Sequence, residues 1–101
     1  MIYLDELAEA IRQAVPSRAL PDGETLSLFR AYAVLLLAKG EDVTRADVHN
    51  AWVAWMAEKD VDHESLVPFS DLDAETQAED SPFVNAIRTV ARSVSRLGPA
   101  E

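Results

Sequence analysis

A chain of 101 residues and 11.1 kDa has room for one hydrophobic core and not for two. With 49% hydrophobic and 27% charged residues, 3 Gly, 5 Pro and no cysteine, it is not collagen, low-complexity disorder or a linker, and it has no thiol for disulfides, thiolate zinc sites or nucleophilic catalysis. Nine Lys and Arg against eighteen Asp and Glu leave a net charge of −9, the wrong sign for neutralising nucleic-acid phosphates or an anionic membrane.

The start, Met1-Ile2-Tyr3-Leu4-Asp5-Glu6, has no basic region, so no secretory signal is expected. The longest apolar run, Ala31 to Ala38, falls far short of the ~20 residues that span a bilayer, and a cytoplasmic setting is the expectation. From Ile2 to Val15, Leu4, Leu7, Ala8, Ile11 and Val15 recur at the spacing of one helical face, and Pro16 ends that helix. Pro16 to Gly23 reads as a connection. The second helix carries Leu26, Leu28, Phe29, Tyr32, Ala33, Leu35, Leu36 and Leu37, an apolar arc wide enough for the most buried element, and stops at Lys39-Gly40.

The third helix has the sharpest start. Thr44 can cap its first amides, Asp47 favours the positive end of the dipole, and Val43 can staple onto Val48. Its apolar face continues through Ala51, Trp52, Trp55 and Met56, and its end is expected near Lys59-Asp60. Residues 58 to 80 then hold nine acids against Lys59 alone, with an apolar island Leu66-Val67-Pro68-Phe69 inside them and Leu72 just beyond. Such an island predicts a loop pinned to the core, with Leu66, Val67 and Phe69 buried against the Trp52 face. Asp73 can cap a turn or two of helix up to Glu79. The last helix opens with Ser81 as cap and Pro82 at its first position, buries Phe83, Val84, Ile87, Val90, Ala91, Val94 and Leu97, and closes at Gly98-Pro99. The expected fold is all-α: a compact bundle of about four main helices, with the acidic connection pinned to the core before the last one.

Few residues carry chemistry. His49 and Trp52 are neighbours on one helix, either as packing or as the wall of a pocket where a planar ligand stacks. Asp60, Asp62, His63 and Glu64 imitate the start of a calcium loop, but Ser65 stands where its turn glycine belongs and Asp71 where its bidentate glutamate belongs, so no metal is expected. Neither His49 nor His63, combined with Ser65, Ser70 or Ser81, forms a hydrolytic spacing, and no catalytic residue or cofactor is expected. Arg88, Arg92 and Arg96, four apart, form a solvated row, neutralise the acidic connection, or hold a ligand phosphate.

His49-Asn50-Ala51-Trp52, then His63-Glu64-Ser65-Leu66-Val67-Pro68-Phe69 with Leu72, then Asp80 before the last helix, resemble the ryanodine-receptor-type (RyR) repeat over residues 48 to 90. The family pattern has aspartate, proline and tyrosine where this chain has Asn50, Glu64 and Phe69. Residues 1 to 40 look instead like a helical pair from small actinobacterial and actinophage proteins, with the repeat-like portion over 43–97. The resemblance implies a non-catalytic helical module that recognises a nucleotide-like small molecule or a partner protein, with His49, Trp52, His63, Pro68 and Phe69 at the matching positions. Arg88 is the cation expected to meet a phosphate. The alternative is an acidic interaction protein whose segment 58–80 imitates nucleic-acid charge against a basic partner. A homodimer is expected to cover apolar residues such as Tyr3, Leu28 and Val53.

Overall fold

The computed structural model describes residues 2–96, and its helices end where the local chemistry stops them. Helix α1 (Tyr3–Ala14) gives way to Val15 in an extended conformation, the one favoured before a proline. Helix α2 (Leu26–Lys39) ends at Gly40, whose φ of +57° is left-handed space that a side chain would strain. Helix α3 (Arg45–Ala57) begins with a complete capping box: Asp47 N–H donates to Thr44 Oγ1 at 3.1 Å and Thr44 N–H to Asp47 Oδ2 at 2.9 Å. Asp73 caps the single-turn α4 (Ala74–Ala78) by accepting from Thr76 N–H at 2.8 Å.

Helix α5 (Ser81–Arg96) starts one residue earlier than its Ser-Pro signal predicts. Its first turn closes on the Asp80 carbonyl, which accepts from the Val84 amide at 3.1 Å, so Asp80 takes the cap position and Pro82 the second helical one. The expected contribution of Leu97 and the stop at Gly98-Pro99 lie outside the described residues. There is no strand among the described residues, and the fold is a small all-α bundle of four main helices. No helix among the described residues is long and apolar enough to cross a membrane.

The dry core belongs to three helices. Ala8 and Ile11 of α1, Leu28, Phe29, Tyr32, Ala33 and Leu36 of α2, and Phe83, Val84, Ile87, Val90 and Ala91 of α5 pack together, closed at one end by Val43. Phe29, Tyr32 and Phe83 meet as an aromatic cluster with centroids 5.4–6.3 Å apart. The apolar arc of α2 is wider than the surface it can bury, so Leu26 and Leu37 face outward, as does Val94 on α5. Among the residues expected at a dimer face, Leu28 is fully buried, Val53 half-buried and only Tyr3 exposed. Polar ties reinforce the packing. The Arg30 guanidinium grips the Asp5 carboxylate through Nε at 2.6 Å and Nη2 at 3.0 Å, and holds that carboxyl below its usual range.

Helix α3 buries only Val48 and His49, while Trp52 and Trp55 pack half-buried on the core. The connection that follows is pinned, but not by sinking its apolar island. Leu66, Val67 and Phe69 are half-buried and Pro68 is exposed, because the attachment is made through backbone carbonyls. His49 Nε2 donates to the Val67 carbonyl at 2.7 Å, and Gln77 Nε2 donates to the carbonyls of Phe69 and Leu72 at 2.9 and 3.2 Å. The loop needs only enough apolar contact to shield these bonds from water.

Candidate functional site

Where α3, the 63–65 turn, α4 and the first turn of α5 converge on the α1–α2 connection, they enclose a cleft of about 540 Å³. That is within the roughly 300–1,000 Å³ usual for small-molecule sites. Its wall is aromatic: Tyr32, Trp52 and Phe83, with both imidazoles. The Trp52 indole lies between His49, stacked at 5.7 Å with planes 23° apart, and His63, edge-on at 5.1 Å.

The hydrogen bonds fix what the histidines offer. With Nε2 donating to the Val67 carbonyl, His49 is 3% exposed and serves first as the tether of the connection. His63 Nδ1 accepts from the Ser65 amide at 3.0 Å, which requires that nitrogen to be unprotonated and puts the hydrogen on Nε2.

Charge enters the cleft from the start of α5. Burial pushes the Asp80 carboxyl up to about 6, an effect partly opposed by His49 and Arg45 and reinforced by Glu79. Burial also raises the Tyr32 phenol, and the nearby Asp80 adds to that rise. Arg18 lines the rim from the α1–α2 connection but is exposed to solvent.

Three of the residues singled out from sequence, His49, Trp52 and His63, come together in this cleft. Pro68, Phe69 and Arg88 do not line it. Phe69 packs behind His49 at 6.1 Å, with the Arg45 guanidinium 5.6 Å from its ring centre. Arg88 Nη2 donates to the Val43 carbonyl at 2.7 Å and Arg92 reaches Glu41 at 3.8 Å, so both bind the α2–α3 turn rather than the acidic connection or a phosphate. Sequence reasoning missed Tyr32, Asp80 and Arg18. Tyr32 and Phe83 read as core, which they also are, and Asp80 was masked by the cap signal of Ser81-Pro82 beside it. Asp60, the first position of the apparent calcium loop, instead accepts from the Asp62 amide at 3.3 Å.

Residues 2–92 match the family model described as "Domain of unknown function (DUF7701)", and the chain belongs to that family. The match takes in nearly all of the helical pair at 1–40 and most of the portion 43–97, and no ryanodine-receptor repeat family is matched, which corrects the resemblance drawn from the His, Trp and Leu-Val-Pro-Phe residues. Those residues have a local explanation: a helix histidine tethering a loop carbonyl, with an aromatic on either side. No curated protein matches the chain. No solved structure matches it either.

Proposed function

We propose that this chain is a non-catalytic binding module whose aromatic cleft takes a small planar ligand, a nucleobase-type ring rather than a phosphate. The observation that carries the reading is the convergence of His49 and Trp52 of α3 with His63 of the following connection on one cleft of ligand size. A flat ring gains from aromatic surface whatever its substituents, and stacking contributes about 1–3 kcal/mol per base. The cation expected to meet a phosphate, Arg88, is committed to Val43, and carboxylates stand at the cleft instead. The test is an intrinsic-fluorescence titration with nucleosides and nucleotides. Quenching in the wild type and in Trp55→Phe, lost in Trp52→Phe and no stronger for nucleotides than for nucleosides, supports the reading. No response from any of them up to millimolar concentration ends it.

A second reading, recognition of a protein, is favoured by the exposure of Leu26, Val34 and Leu37 on α2. Their spacing puts them along one helical stripe, so a second copy of the chain is the simplest cover. Light scattering that gives the monomer mass at every concentration argues against it.

A further inference from the structure

Several carboxylates of this protein have donors of their own. Asp5 is held by Arg30, Glu9 by Arg12 and Gln13, and Asp73 by the Thr76 amide and hydroxyl, and each of these partners keeps the acid ionised. Asp80 is different. It is half-buried, it faces the cleft, none of the ion pairs among the described residues includes it, and no hydrogen-bond donor is among the groups that stabilise its charge. A carboxylate kept partly out of water without a partner has an unmet demand for positive charge.

The walls around it present the same demand in another form. Trp52, half-buried at the cleft, offers an aromatic face that attracts cations, while Tyr32 and Phe83 are packed into the core. The protein's own cations sit on other rings: Lys59 lies 4.6 Å from the ring centre of Trp55 and Arg45 lies over Phe69. His63 Nδ1 is occupied by the Ser65 amide. Glu79 stands beside Asp80 at the cleft; His49, spent on the Val67 carbonyl, and Arg45, over Phe69, only partly offset the cost of burying Asp80, and Arg18 is at the exposed rim where solvent screens it. The overall charge of −9 draws cations toward the molecule from a distance.

Resting on the reading of this cleft as a binding site, we propose that its ligand is a planar organic cation of the amidinium or guanidinium type, its charge met by Asp80 and its plane laid against Trp52. Such a group donates two parallel N–H bonds to one carboxylate, a geometry that an ammonium point charge cannot reproduce.

Three probes share one ring and differ in charge: benzamidine, benzamide and benzoate. Each is titrated against the full chain carrying Trp55→Phe, so that Trp52 is the reporter. Benzamidine is expected to bind about ten-fold tighter than benzamide, the scale of a hydrogen-bonded charge pair, and benzoate weakest of the three. Asp80→Asn is expected to abolish the benzamidine preference while leaving benzamide unchanged, with circular dichroism checking that the helices persist. Acetyl-arginine amide, titrated in parallel, separates the sources of the group: tighter binding than benzamidine assigns it to a peptide side chain, weaker binding to a free aromatic cation. Equal binding of the three probes, or a preference that survives Asp80→Asn, overturns the cation and leaves the stacking site standing. Failure of all three to bind, together with the nucleosides, removes the site itself.

Discussion

Between α1, α2 and α5 the contacts are made by side chains that see no water: Ile11, Leu28 and Ile87 are 0% exposed. Between α3 and residues 58–80, and within that connection, side-chain donors reach backbone carbonyls, His49 to Val67 across the two and Gln77 to Phe69 and Leu72 inside the second, beneath apolar groups that stay half-exposed. The first region loses free energy in proportion to the apolar area exposed. The second depends on a few directional bonds and on the acids around them. A cleft needs walls that are positioned but not filled, and it lies where the second kind of construction meets the first.

The contrast can be broken most forcefully from the core side. Ile87→Ala leaves a cavity at a site with no solvent contact, and denaturant melts are expected to show a loss of about 2–5 kcal/mol. His49→Ala removes the donor to a sheltered carbonyl and is expected to cost about 1–3 kcal/mol. Its signature is faster hydrogen exchange in residues 63–69 with α1, α2 and α5 unchanged. A uniform rise across all helices in that experiment makes the two regions one cooperative unit. Phe69→Ala is expected to cost only about 1–2 kcal/mol, because the ring is half-buried and truncation exposes little new area. A loss as large as that of Ile87→Ala erases the distinction.

The smallest effect concerns Asp80, and it depends on pH. Its folded-state value of about 6 lies above the ordinary 3.8, so the folded protein binds this proton more readily than the unfolded chain. Ionised Asp80 therefore opposes folding in full above about pH 6, and that opposition fades as the pH falls toward 4. Asp80→Asn should melt a little higher than wild type in neutral buffer, and the two should converge on acidification through this window. A difference that is flat across it means that Asp80 feels no burial.

Much of the core region was legible because helix boundaries are written locally. Thr44 and Asp47 are three apart, Gly40 follows a basic turn, and Asp73 precedes a short helical run, and each does what its spacing predicts. Periodicity also ordered the faces, but it cannot say how wide a face is covered, which is why Leu26, Leu37 and Val94 were misjudged. The site was half legible. His49 and Trp52 are neighbours on one helix, whereas the approach of His63 to Trp52 and of Tyr32 to Asp80 depends on how three connections fold back together. The acidic segment concealed Asp80 in another way: in a run of nine acids, composition does not distinguish the one that turns inward.

The core helices α2 and α5 are separated by about forty residues of chain, and α5 must return across that distance before the core can close. Half of the intervening loop carries the nine acids of residues 58 to 80, which repel one another in the open chain and swell it. Closure is therefore slowed by electrostatics as well as by entropy. Salt, which shortens the reach of that repulsion to about 10 Å near 0.1 M, should speed refolding in a stopped-flow experiment. Unfolding begins by prising apart dry apolar contacts and should be nearly indifferent to salt. The protein would then gain stability from salt almost entirely through the rate at which it folds.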